Sequence, residues 1–596
     1  MKEELGHVDA EQQPAEVAGD GGNGGAAPGE PAAAPADAAP VATAAAAASG
    51  NGSGVTAAEP APAPAPTGAA EPAKEPEKTG GEGEKKGKDA DEARVGWIQE
   101  NIEAVVVAIV LAVIIRHFAM EAFVIPTGSM APTLNGIHVD ATCDNCGNEF
   151  AVAFPEPNEA GVWQDFLDIG RPGVRAKVSC RACGRTERWS ISKNDITDGM
   201  ATVRCTGPDC DEMVRVDLDD PAAEAERVTI LRPDCETCEH DFDMGVAPRD
   251  VQGGNKILVN KFIYKMRDPR RFEVMVFKNP ADPQKTFIKR VMGLPGEMLR
   301  VRDGDVYVNG QIVRKPARVQ EVLFMPVYRM NNVQTLSGKS PPWETFDELW
   351  DLSDPRRLIA GAPGEKRTSW IEFDRKIRDR YGYNSREQFS SGSGDNVVGD
   401  IRVSFTVKAD GRGSSVYAAL REDDREFTLH LRADPDGIAP SAVLIDGRAK
   451  TGTQMPKVIL TPGKEHHVVF QNVDDLVRAW LDGEEVLFAR ADGGPGWEVA
   501  NDPDKWSTDK SGVRLGVRGD GARFTDVEID RDVYYTSSGS RHTDFDIDED
   551  HFVVLGDNSP NSQDSRKWDS FGVPRSHIVG RAFMVFWPAF ELEMIR

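Results

Sequence analysis

Ile401 to Val407 alternates apolar and polar residues with a period of two, the mark of a strand with one buried face. Similar runs recur at Val416–Leu420, Phe427–Leu431, Val443–Ile445 and His467–Phe470, and Ala479–Val486 carries Asp482-Gly483 at its centre, a hairpin turn signal. The closely spaced pair Gly512–Gly516 and Phe524–Ile529 ends the series. Together they predict a β-sandwich over 395–540. Upstream, Thr286–Met292 reads as a strand stopped by a Pro295-Gly296 turn, and Ala582–Trp587 as a core strand that exits at Pro588. The fold class is therefore mainly β.

Two regions depart from this pattern. Residues 1–95 are Ala, Pro, Gly and Glu without apolar periodicity, and nothing there buries enough surface to offset chain entropy, so a disordered tail is expected. Val105–Ile115 is a continuous apolar run, extendable from Trp97 to Ile125 across Glu103, Arg116, His117 and Glu121. About 20 apolar residues normally span a bilayer, so length alone leaves a buried helix and a membrane span as alternatives. Trp97 suits an interface, and Lys85, Lys86, Lys88 and Arg94 precede the run; these flanks favour a single transmembrane anchor over 97–125, N-terminus inside and all later residues outside. A cleaved signal peptide fits less well, because Ile125-Pro126 comes after the run where a small-residue site is needed.

Length and charge narrow the function. The 596 residues leave room for several domains. A net charge of −27 repels polyphosphate, which excludes a nucleic-acid partner for the chain as a whole. All 8 cysteines fall between Cys143 and Cys238 as close pairs: Cys143 with Cys146, Cys180 with Cys183, Cys205 with Cys210, and Cys235 with Cys238. The Cys-x-x-Cys-Gly knuckles at Cys143 and Cys180 point two thiolates at one metal, with the glycine relieving the tight turn. Two structural zinc sites are expected, one from Cys143, Cys146, Cys180 and Cys183, the other from Cys205, Cys210, Cys235 and Cys238. A crossed pairing of the knuckles is the alternative arrangement, and four disulfides in an oxidising compartment the alternative chemistry.

Candidate chemistry begins at Pro126-Thr127-Gly128-Ser129-Met130-Ala131-Pro132, where two prolines bracket a glycine and a serine in a rigid turn. A serine needs a base. Lys289 lies inside the apolar strand 286–292, where burial lowers its pKa and frees the amine to accept a proton. These segments resemble type I signal peptidases, the membrane-anchored Ser/Lys leader peptidases. Gly556-Asp557-Asn558, then Ser562, Asp564, Ser565 and Arg566, matches the family's G-D-N-x-x-x-S-x-D-S-R box. Gly572-Val573-Pro574 to Gly580-Arg581 matches the family's segment C-terminal to that box, and Lys256–Phe262 its remaining box. Val306–Gly310 matches a hairpin of the family scaffold.

The resemblance implies a nucleophile at Ser129, a general base at Lys289, oxyanion donors at the Ser129 N–H and the Thr127 hydroxyl, and a lysine-orienting hydroxyl at Ser562. Arg290, Asp557, Asp564 and Arg566 are expected as ion-paired supports. No catalytic cofactor is implied. The substrates implied are exported preproteins, cut after a small-x-small signal-peptide end, and the setting is the outer face of the cytoplasmic membrane. Catalytic segments are expected at 126–137, 251–320 and 545–596, a zinc-ribbon-like insertion at 138–250, and a linker or insertion of unknown fold at 321–394. The sandwich at 395–540 is similar to laminin-G or concanavalin-like jelly rolls, folds that take glycan or protein partners. A non-catalytic membrane-tethered scaffold and a dedicated maturation protease for one partner are the alternative functions.

Overall fold

The computed structural model describes residues 104–108, 110 and 119–596, apart from 155–170, 206–209, 211, 333–341, 385–393, 424, 437–439, 491–510, 538 and 589–591. The expected tail at 1–95 lies outside the described residues, as does most of the expected anchor at 97–125. Among the described residues no helix is long and apolar enough to cross a membrane. The last part of that expected span is a strand: Met120–Val124 pairs antiparallel with Lys256–Asn260, from Met120↔Asn260 to Val124↔Lys256. Its residues are alternately exposed and half-buried, a period of two that the apolar composition of 97–125 hides.

An eight-stranded sheet carries the candidate site. Its order is Met120–Val124, Lys256–Asn260, Ile578–Trp587, Val274–Lys278, Thr286–Gly293, His551–Leu555 and Val573–Pro574, with Glu593–Met594 alongside Ile578–Trp587. Val274, Val276, Ile257, Val259, Ala582 and Val585 form one core cluster of this sheet, and Met275, Phe277, Val291, Phe552 and Val554 another. The strand Val274–Lys278 is thus covered on both sides, which explains its unbroken apolar reading. A four-stranded sheet of Met298–Arg302, Asp305–Val308, Gln311–Ile312 and Asp544–Asp546 adjoins it through a core that includes Met292, Leu299, Val301, Phe545, Val553 and Leu555.

The sandwich is larger than the alternation predicted. One sheet of eight strands contains Ile401–Ala409, Glu465–Val473, Leu476–Leu481, Glu484–Arg490 and Ala522–Arg531; the other, of seven, contains Ser415–Glu422, Arg425–Arg432, Ser441–Ile445 and Ser511–Gly519. Ile401–Ala409 alternates buried and half-buried along its length, as its sequence requires. The stretch 321–394, read as a linker of unknown fold, supplies Met325–Arg329, Trp350–Asp351 and Arg357–Ala360 to the first sheet and Trp343–Thr345 and Gly364–Phe373 to the second. These strands are short or polar at one end, so they lack a legible alternation, yet Trp343, Trp350, Leu358, Ile371 and Phe373 enter the sandwich core.

The cysteine block forms three small sheets: Arg171–Ser179, Thr186–Ser192, Glu226–Leu231 and Met244–Val246; His138–Thr142, Glu149–Ala153 and Val251–Gln252; and Ile196–Thr197, Met200–Arg204 and Met213–Asp217. Gly147 and Gly184 close their knuckles with positive φ, 73° and 74°, a conformation that costs glycine little.

Candidate active site

The segment after Met120–Val124 crosses from the sheet edge towards its middle. Met130 and Leu134, both fully buried, sink into the core with Ile257, Val259, Val274 and Val276 and so fasten the turn that bears Ser129 across the sheet. Lys289 lies midway along Thr286–Gly293, paired with Met275. The two meet: Lys289 Nζ donates to Ser129 Oγ at 2.7 Å and to the Ile288 carbonyl at 2.8 Å. Lys289 is 4% and Ser129 6% exposed. Burial pulls the lysine pKa down to about 8; Asp564 and Asp557 oppose this and Arg566 assists it.

Those carboxylates are prevented from dominating by their own partners. Arg290 Nε and Nη2 donate to the two oxygens of Asp557 at 2.8 and 2.7 Å, a bidentate pair with both side chains fully buried. Thr133 Oγ1 also donates to Asp557, at 2.5 Å, and Arg290 Nη1 donates to the Phe272 and Arg596 carbonyls at 2.8 Å each. Arg566 grips Asp564 in the same fork, at 2.9 and 2.7 Å, and reaches Ser559 Oγ at 2.6 Å and the Thr536 carbonyl at 2.9 Å. Burial pushes the Asp564 carboxyl up, but the Arg566 charge and hydrogen bonds outweigh it and hold the group below its ordinary value. Each acid is therefore spent on a guanidinium, and the lysine amine faces a nearly neutral surround.

Two expected contacts differ. Ser562 is buried beside the site, but Lys289 does not hydrogen-bond to it: the amine goes to Ser129 and Ile288, and the Ser562 hydroxyl interacts with Asp564. Thr127 is exposed two residues before Ser129, next to the turn and outside its core. Sequence reasoning missed three participants. Asn558, inside the recognised box, donates its backbone N–H to the Ser129 carbonyl at 3.1 Å and its amide to the Gly128 carbonyl at 2.9 Å. Thr133 joins the Arg290–Asp557 pair. Tyr383, from the chain's long second insertion, accepts the Gly136 N–H at 3.0 Å; no local pattern signals it.

The cysteines converge elsewhere, in two groups of four: Cys143, Cys146, Cys235 and Cys238, and Cys180, Cys183, Cys205 and Cys210. This corrects the expected grouping. The chain returns along Glu226–Leu231, which pairs with Arg171–Ser179, and brings the last knuckle back to the first, so the pairs nest instead of running in sequence. Sulfur pairs lie 3.5 to 3.7 Å apart across each group. That is far beyond the ~2.05 Å of a disulfide and close to the edge of a tetrahedron with metal–sulfur bonds of ~2.3 Å. Both groups fit a four-coordinate metal.

The family model described as signal peptidase, peptidase S26 matches residues 243–345 and 508–587. The matched span includes Lys289, Arg290 and the whole 556–566 box, while Ser129 precedes it. Signal peptidase I V of Bacillus subtilis is 46% identical over 65 residues, 11% of this chain and 38% of that protein. Signal peptidase I of Pseudomonas aeruginosa is 44% identical over 76 residues, 11% of this chain and 27% of its own length. The chain thus spans less than two fifths of these curated relatives. Among solved structures, the carbohydrate binding module CBM66 from Bacillus subtilis aligns with 32% of this chain and 96% of its own at 15% identity, with a TM-score of 0.20. The family match and the curated relatives support a signal peptidase, a peptidase and hence a hydrolase, the family match falling on the segments that build the lysine strand and its arginine–carboxylate supports.

Proposed function

We propose that the protein is a membrane-bound serine endopeptidase that removes signal peptides from exported preproteins with Ser129 and Lys289. The observation that carries this reading is the 2.7 Å hydrogen bond between a buried lysine amine and a buried serine hydroxyl, with the lysine pKa drawn down to about 8. Neutral Lys289 takes the Ser129 proton as Oγ attacks the scissile carbonyl, and returns it to the leaving amine. The Ser129 N–H and the Thr127 hydroxyl stabilise the oxyanion once substrate draws Thr127 inward. Ser562, whose hydroxyl interacts with Asp564, orients the lysine by turning towards it during turnover. The four-cysteine groups hold structural zinc and stand outside the chemistry.

A membrane setting is supported by exposed apolar side chains on and beside the first three strands of the site-bearing sheet. Val124 and Trp587 flank Lys256 in one cross-strand row, and both are more than half exposed. Phe262 and Met266 protrude just past Asn260, and Met594 beside Met584. Such a surface favours the headgroup–acyl boundary, so the domain lies against the outer face of the cytoplasmic membrane, where a signal peptide still in the bilayer presents its cleavage site.

The deciding experiment is cleavage of a panel of preproteins by the purified, detergent-solubilised full chain. Cleavage after a small-x-small sequence by the wild type, absent in Ser129→Ala, is the expected result. Equal cleavage by both proteins would reject the reading.

A further inference from the structure

The turn that bears Ser129 is touched by a segment lying between two strands of the sandwich, Gly364–Phe373 and Ile401–Ala409. Tyr383, 1% exposed, lays its ring over Gly128: a Cβ at that glycine would fall 2.1 Å from Tyr383 Cε1, so residue 128 must lack a side chain for the ring to seat. The ring hydroxyl accepts the Gly136 N–H, and the Tyr383 carbonyl accepts the Ala153 N–H at 2.8 Å, so one residue ties the turn to the cysteine block. Asn384 and Asn558 exchange amide hydrogen bonds, 2.8 Å in each direction. Asn558 in turn holds the Gly128 and Ser129 carbonyls. The segment has its own backing, because Glu236, inside the Cys235–Cys238 knuckle, accepts the Gly382 N–H at 3.0 Å.

We infer that Tyr383 and Asn384 are positioning residues of the peptidase: the sandwich insertion reaches back through them to fix the Ser129 turn against Lys289. This rests on the Ser/Lys reading for its kinetic consequence but not for its structural one. The turn carries two carbonyls that need partners and a glycine, and the Pro126–Leu134 segment is held on one side by Met130 and Leu134. Tyr383 and Asn558 hold it from the other. Without the clamp the Ser129 hydroxyl loses its fixed distance from the amine, and water reaches the lysine.

The test uses the full chain in detergent with Tyr383→Ala, Tyr383→Phe and Asn384→Leu. Amide hydrogen exchange of a peptide covering residues 126–137 is expected to speed up about tenfold or more in Tyr383→Ala and Asn384→Leu, from the loss of one or two buried hydrogen bonds each. The kcat for preprotein cleavage is expected to fall at least tenfold with KM within about twofold, and the midpoint of the pH–rate profile to rise as Lys289 becomes hydrated. Tyr383→Phe keeps the ring and loses only the acceptor for Gly136, so it should retain most of the activity while the turn still exchanges faster. If Tyr383→Ala melts the whole chain, Tyr383→Phe and Asn384→Leu are the variants read. Unchanged exchange in 126–137 for both would overturn the inference whatever the activity; wild-type chain that cleaves no preprotein would overturn the peptidase reading and leave the exchange result to decide the clamp.

Discussion

In the proposed mechanism Lys289 accepts a proton near neutrality, so it has to be kept from holding one; burial shifts it from an ordinary 10.5 to about 8, and both neighbouring acids are paired with arginines. Cleavage is therefore expected to rise with pH along a single ionisation centred near pH 8, as read from kcat/KM between about pH 6 and 10. Stability has a linked sign. Between about 8 and 10.5 the unfolded chain binds the lysine proton and the folded chain does not, so this group's contribution to stability increases with pH across that window, and below it the full burial penalty applies. Lys289→Met should consequently abolish cleavage while leaving the melting temperature near neutral pH equal or higher; a large fall in melting temperature would count against a strained, functional lysine. Arg566→Met is expected to act oppositely. It leaves Asp564 buried and unpaired, costs roughly 3–5 kcal/mol in denaturant titration, and lifts the pH–rate midpoint. Ser129 and Lys289 were legible as a serine in a rigid turn and a lysine within an apolar strand, and Arg290, Asp557, Asp564 and Arg566 only through the resemblance to the signal peptidase boxes. The lysine's actual hydrogen bonds were not, since the choice between Ser562 and Ile288 is one of rotamer and sub-ångström backbone position.

Hairpins and knuckles are the natural units of the cysteine block, and their pairing is decided by strand return. Spacing predicts that the two thiols of each pair point at one metal; it does not tell which pairs share the same one, because strand partners far apart in the chain set that. The nested arrangement makes a distinctive prediction for metal content. Wild type should hold about two zinc ions per chain. Cys143→Ser with Cys235→Ser should still lose only one, whereas Cys143→Ser with Cys180→Ser should lose both, each site depending on all its thiolates. Elemental analysis of the purified variants checks this, and equal losses from the two double variants would refute the nesting. The sandwich shows the same limit of local reading. Strands with one buried face, such as Ile401–Ala409, announce themselves by alternation; Gly364–Phe373 begins with polar residues and pairs with Ser511–Gly519 more than a hundred positions later, so only the fold reveals it.

At the scale of the whole molecule, the proposed topology puts the site-bearing sheet, both insertions and Arg596 on one side of the membrane. A single cysteine introduced at exposed Glu465 should react with an impermeant maleimide on intact cells or spheroplasts, while one at Ser53 should react only after lysis. The reverse pattern would put Ser129 on the wrong face. Flotation with anionic-lipid vesicles should weaken several-fold in Phe262→Ser with Trp587→Ser, if these exposed side chains rest on lipid as proposed. Composition suggests an anchor up to Ile125; the strand at Met120–Val124 leaves at most residues 97–119 for it.

Ile578–Trp587 lies between Lys256–Asn260 and Val274–Lys278 in the sheet, although it is made after both insertions. During synthesis the two flanking strands therefore wait with open edges while the long sandwich insertion emerges and folds. Only when Ile578–Trp587 fills the gap does the sheet close and the serine turn gain its floor, since Ala582 and Val585 share a core with Met130 and Leu134. A chain terminated before Ile578 thus has its serine and lysine segments but lacks the strand whose core side chains bed the serine turn.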